Sequence, residues 1–274
     1  MGYLPVDGGR LYYETAGSGR PLVMIHAAFL DSRMWDGQFK AFARKYKVIR
    51  YDVRGFGRSS RPTETYSDAE DLLKLVEHLK IRDACLLGVS NGGRIALDFV
   101  TALPSSVKGL ILISPGIAGY ISSGPKEDEL WADFGKLENR QNIAIKENRI
   151  RDAVGVDLEM WATEQSPNAR RRLFQIALAN SHVHKNMWWW RSTYRQQESP
   201  QPPAFERLGS IHVPTLLIVG DRDVKGMQLR TERLHRLIPG SELRVIGGAD
   251  HVPNTSRPRE FNALVSAFLK NLDS

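Results

Sequence analysis

Cysteine occurs once in these 274 residues, at Cys85, so the chain cannot close an internal disulfide. That excludes the small disulfide-stapled folds, and packing in an apolar core is the expected role of the thiol. Long apolar runs are missing too: no stretch approaches the roughly 20 residues needed to span a bilayer. Residues 1–10 lack a basic segment followed by an apolar core, the mark of a secretory leader. A cytoplasmic protein with no membrane partner is therefore expected. His-Glu-x-x-His is absent, and His182 and His184 have no acidic or histidine companion at ligand spacing, so no metal and no other cofactor is expected.

Charge of one sign is in modest excess. Lys and Arg number 38 against 31 Asp and Glu, a formal net charge of +7. A nucleic-acid binder would concentrate that excess. Here the basic residues are scattered, the densest cluster is Arg170, Arg171 and Arg172, and no nucleic-acid motif accompanies them. No nucleic-acid partner is expected; a small molecule is. The oligomeric state is not legible in the sequence.

What is present alternates between two periods. Residues 11–15 (Leu-Tyr-Tyr-Glu-Thr) alternate as a half-buried strand after the turn Asp7-Gly8-Gly9. The runs at 21–26, 47–52, 85–89, 107–114, 213–220 and 242–246 are short and apolar, as strands of a parallel sheet covered on both faces would be. Helical stripes separate them: Trp35, Phe39 and Phe42; Leu72, Leu75, Val76 and Leu79 after the capping pair Ser67 and Glu70; and Phe261, Leu264, Val265, Phe268 and Leu269 after Pro258. Alternating strands and helices imply an α/β fold with a mostly parallel central sheet flanked by helices. Between 115 and 212 the alternation stops. Helical patterns dominate there, and Trp131, Trp161, Trp188, Trp189 and Trp190 all fall in this stretch.

Residues 85–94 read Cys-Leu-Leu-Gly-Val-Ser-Asn-Gly-Gly-Arg and organise the rest. An apolar strand ends in Gly-x-Ser-x-Gly and a helical pattern starts at once, which places Ser90 at the apex of a sharp turn. Gly88 and Gly92 stand where a Cβ would crowd the backbone crossing. The following helix aims its free N–H groups at the place where negative charge would develop. In this context the chain resembles the α/β-hydrolase family, whose nucleophile elbow is Gly-x-Ser-x-Gly.

Further segments carry the same resemblance. His26-Ala27-Ala28-Phe29 is similar to the family's His-Gly-x loop after the third strand, with alanines in place of glycine. Residues 52–59 resemble its Asp-x-Arg-Gly-x-Gly-x-Ser turn; a structural turn is expected there, since no third glycine opens a helix as a nucleotide loop requires. The loop Gly220-Asp221-Arg222-Asp223 matches the position of the family's triad acid, with Asp223 first and Asp221 as a fallback. Residues 247–253 resemble the loop that carries its histidine, here His251.

The resemblance implies a serine hydrolase of the esterase or lactonase branch. Ser90 would be the nucleophile, Asp223 the acid and His251 the base; the backbone N–H groups of Ala28 and Asn91 would form the oxyanion hole. Phe29, Trp188, Trp189 and Trp190 are candidate substrate contacts. It also implies a core of residues 1–114 and 213–274, with 115–212 inserted as a helical cap. A serine rather than an aspartate at the elbow argues against dehalogenase and epoxide-hydrolase chemistry. Carbon-carbon bond hydrolysis, perhydrolysis, amide hydrolysis and a receptor role on the same triad stay open. Asp250, just before His251, would perturb the imidazole if its side chain pointed inward.

Overall fold

In the computed structural model, which describes residues 1–185 and 197–272, the apolar runs assemble an eight-stranded sheet. The strands are β1 (Gly2–Val6), β2 (Gly9–Ala16), β3 (Pro21–Ile25), β4 (Lys47–Tyr51), β5 (Ala84–Val89), β6 (Val107–Ile113), β7 (Thr215–Gly220) and β8 (Glu242–Ile246). Their order across the sheet is β1-β2-β4-β3-β5-β6-β7-β8. The β1/β2 and β2/β4 pairs are antiparallel and every other pair is parallel. The first strand went unread in the sequence, because only Leu4 of its five residues is buried and its apolar signal is short.

The two-residue period of the inner strands divides the core in two. Leu22 and Met24 of β3, Cys85, Leu87 and Val89 of β5, and Ile111 and Ile113 of β6 face one side. Phe42 of α1 (Asp36–Phe42) lies on that side, as do Phe261, Val265, Phe268 and Leu269 of the C-terminal helix Pro258–Asn271. Their neighbours Val23, Ile25, Leu86, Leu110 and Leu112 face the other, with Leu72, Leu75 and Val76 of α2 (Asp68–His78) and Ile95, Phe99 and Val100 of α3 (Asn91–Ala102). Cys85 is fully buried and unpaired. Ser67 caps α2, its hydroxyl accepting from the Glu70 N–H at 3.3 Å.

Between β6 and β7 the chain runs through α4 (Pro125–Glu129), α5 (Ala132–Lys146), α6 (Ile150–Trp161), α7 (Pro167–Ala179) and α8 (His182–Lys185). Val154 and Leu158 of α6 and Leu173 and Ile176 of α7 join the apolar cluster that holds Leu30, Met34 and Val252, so this helical segment shares a core with the sheet domain. Beyond β7 come α9 (Lys225–Leu237), β8, α10 (Pro253–Ser256) and α11 (Pro258–Asn271).

From β3 the chain turns to β4 on one side, and β5 then returns to the other side of β3. The loops leaving β3 and β5 therefore diverge across a crevice at the carboxyl ends of neighbouring strands, where sheets of this type hold their ligands.

Candidate active site

Ser90 leaves β5 with φ 53° and ψ −112°, a conformation that L-residues adopt only when their surroundings impose it. Three hydrogen bonds impose it: Ser90 N–H donates to the Ile113 carbonyl at 2.9 Å, and the Ser90 carbonyl accepts from Arg94 N–H at 3.0 Å and Gly116 N–H at 2.9 Å. The glycines let the backbone cross itself. A Cβ on Gly88 would overlap the Gly92 carbonyl, and one on Gly92 would overlap the Ile25 carbonyl. The same contact sets the start of α3, where Asn91 lies, against the end of β3, which leads into the loop of Ala28. Neither N–H of that pair donates a hydrogen bond among the described residues. Arg94 fixes the first turn of α3 from outside. Its Nε donates to Asn91 Oδ1 at 2.9 Å, and its guanidinium pairs with Asp68 at 2.5 Å and Asp98 at 2.9 Å.

The loop after β3 is held by His26. Its Nε2 accepts from Val53 N–H at 2.9 Å, so Nδ1 carries the proton and donates to the Ala27 carbonyl at 2.8 Å. Phe29, half-buried, has φ 54° and turns the chain away after Ala28. The turn at 52–59 is structural, as expected. The Asp52 carboxylate accepts from Ser32 and Arg58 N–H groups at 2.9 and 2.8 Å, and Arg54 grips Asp71 of α2 with bonds of 2.8 and 2.7 Å.

The loops after β7 and β8 are laced to one another, and the lacing separates the two aspartates. Asp221 accepts from Gly248 N–H at 2.6 Å, while the Asp221 and Arg222 N–H groups donate to the Ile246 and Ala249 carbonyls at 3.2 and 2.9 Å. Asp221 is thus the stitch. Asp223 lies deeper, at 5 % exposure, and its two carboxylate oxygens stand 3.1 and 3.0 Å from His251 Nδ1. The imidazole is buried, Nδ1–H donates to Asp223, and Nε2 has no hydrogen-bond partner among the described residues. Asp223 also accepts from Val224 N–H at 2.7 Å and from the Ser114 hydroxyl at 2.6 Å.

Three contacts of this region escaped the sequence. Ser114 stood there only as the last residue of a buried strand; its positive φ of 41° aims the hydroxyl at a carboxylate 109 positions later. Trp161, at the end of α6, packs its indole on the His251 ring with centroids 4.4 Å apart. Asp250 turns away from the imidazole: its carboxylate accepts from Glu164 N–H at 2.9 Å, from Gln165 Nε2 at 3.0 and 2.9 Å, and from Val252 N–H at 3.1 Å. The expectation that it would perturb the base gives way to a tie between the histidine loop and the helical segment. Trp188, Trp189 and Trp190 lie outside the described residues.

Asn180 makes a second tie, donating to Asp31 at 2.8 Å and accepting from Gly57 N–H at 2.7 Å. Burial pushes the Asp31 carboxyl up, but hydrogen bonds from Arg33 and Asn180 outweigh it and hold the group below its ordinary value. His182 serves the same junction, its Nε2 lying 2.7 Å from the Gly55 carbonyl. Among the described residues no group of three His, Cys, Asp or Glu side chains could hold a metal ion, and no helix is long and apolar enough to cross a membrane.

Residues 20–258 match the family described as alpha/beta hydrolase fold. A putative 2-succinyl-6-hydroxy-2,4-cyclohexadiene-1-carboxylate synthase of Bacillus subtilis is 25 % identical over 235 residues, 82 % of either chain. A pimeloyl-[acyl-carrier protein] methyl ester esterase of Nitrosospira multiformis is 25 % identical over 95 % of this chain and 98 % of its own. Among solved structures, Est816, an N-acyl homoserine lactone degrading enzyme, superposes with a TM-score of 0.73 at 27 % identity, covering 97 % of this chain and all of that one.

Proposed function

Since this chain belongs to the alpha/beta hydrolase fold family, we propose that it is a serine hydrolase that cleaves a carboxylic ester or lactone of a small, partly apolar substrate. Ser90 is the nucleophile, His251 the base and Asp223 the residue that orients it. The observation that carries this reading is the state of His251: buried, held at Nδ1 by Asp223, with Nε2 unengaged among the described residues. An imidazole so held is fixed in the tautomer that can take a proton at Nε2, and Asp223 supports the imidazolium that results.

The chemistry runs in two steps. Ser90 Oγ attacks the carbonyl carbon while its proton passes to His251 Nε2. The oxyanion is taken up by the N–H groups of Asn91 and Ala28, each such donor worth about 3 kcal/mol in comparable sites. Collapse breaks the bond to the alcohol oxygen, which leaves with the proton from His251. Water then gives its proton to the same nitrogen, attacks the acyl-serine and releases the acid. The methyl ester esterase and lactone-degrading relatives support this reaction class. In the same reading residues 115–212 act as a cap over the crevice, and the enzyme works in the cytoplasm without a nucleic-acid partner.

The test is hydrolysis of short and medium p-nitrophenyl esters by the wild type and Ser90→Ala, with both confirmed folded. Turnover that vanishes in Ser90→Ala is the expected result. Turnover that survives the substitution, or none in either protein, overturns the reading.

A further inference from the structure

We propose that Trp161 walls the side of the active site that holds the leaving alcohol, and that the preferred substrates are esters of planar, apolar alcohols. This rests on the triad reading above. In acyl transfer the leaving oxygen takes its proton from the base, so the alcohol portion of an ester must lie beside the imidazole. The ring that touches His251 therefore touches that subsite, whatever lines the acyl side.

Trp161 is that ring. Its indole sits 4.4 Å from the imidazole centroid, tilted by 43°, and it stays only half-buried although the imidazole beneath it is buried. It does not stand alone. Phe134 of α5 packs behind it at 4.8 Å, and Trp131 packs edge-on to Phe134 at 5.6 Å. The outer end of this row is pinned at α9. Gly226 leaves the space that Trp131 fills, where a Cβ would overlap the indole, and the Arg230 guanidinium lies 5.1 Å from the Trp131 ring centre. Three aromatic side chains thus run from α9 to the base and hold Trp161 in one place. A rigid, half-open indole is a platform for another flat apolar group, since offset or edge-on ring pairs are favourable beyond the area they bury.

The experiment compares kcat/KM for two matched ester series in the wild type, Trp161→Phe, Trp161→Ala and Ser90→Ala. One series fixes the acetyl group and changes the alcohol from methyl to benzyl to 2-naphthyl; the other fixes benzyl alcohol and lengthens the acyl chain. Trp161→Ala is expected to lose about tenfold or more on the benzyl and naphthyl esters relative to methyl acetate, with acyl preference unchanged. Trp161→Phe, which keeps a ring, should stay within about threefold of the wild type. Equal loss on all three alcohols, or a shift in acyl preference, overturns the assignment of Trp161 while Ser90-dependent turnover still stands. Turnover that persists in Ser90→Ala overturns the triad instead. Equilibrium titration with benzyl alcohol reads the subsite without turnover: binding should weaken in Trp161→Ala, and unchanged binding overturns the proposal.

Discussion

Ser114 holds one oxygen of the Asp223 carboxylate that pairs with His251, the base of the proposed reaction. A buried hydrogen bond to a charged group is worth about 1.5–3 kcal/mol. Ser114→Ala is therefore expected to lower kcat by about tenfold while KM barely moves, since the lost contact affects the aim of the imidazole and not ground-state binding. Steady-state kinetics on one good ester checks this, and a change confined to KM would contradict it. At the elbow, Gly92→Ala should fail for a different reason. The added methyl would meet the Ile25 carbonyl, which belongs to a central strand and cannot yield. The expected outcome is a protein with a clearly lowered melting temperature, or none recovered folded. At this scale the sequence was legible wherever a residue type declares its own conformation, as Gly88 and Gly92 do. It was not legible for Ser114 or Trp161, whose roles depend on partners 109 and 90 positions away in the chain.

The helical segment between β6 and β7 is fastened to the sheet domain by polar side chains at a few points. Asp250 receives Glu164 and Gln165, and Asn180 bridges Asp31 and Gly57. Asp250→Ala should cost about 2–3 kcal/mol in chemical denaturation, because the Glu164 and Val252 N–H groups lose a buried acceptor. Asp31 adds an acid-sensitive component. Its pKa is lower folded than the ordinary 3.8, so its stabilisation is complete above pH 3.8 and is lost as pH falls through the folded value. Thermal melts of the wild type should decline across that range, and Asp31→Asn, with nothing to titrate there, should flatten the decline while starting lower at neutral pH. Strands buried on both faces, such as β3, β5 and β6, were evident as unbroken apolar runs. The ties between helices and sheet were not, because a glutamine or asparagine that reaches across a junction has the same sequence signature as one in solvent.

The excess of basic residues is spread over the whole molecule, and several arginines are spent on internal ion pairs, Arg54 with Asp71 and Arg94 with Asp68 and Asp98 among them. Retention on double-stranded DNA should therefore be weak and abolished by about 0.15 M salt, where exposed charges more than a Debye length apart no longer act together. Elution at much higher salt would point to a basic surface with a partner of its own. The direction of the strands has a consequence for the continuity of the chain. Ser90, Ser114, Asp223 and His251 all follow the carboxyl ends of strands β5 to β8. The connections at the other end, such as exposed Pro239 and Gly240 before β8, carry none of them. The polypeptide can thus be opened there without cutting any loop that carries a site residue. A circular permutant with new termini at Pro239–Gly240 is expected to keep its turnover, whereas a break between Ser90 and Asn91 would sever the elbow itself.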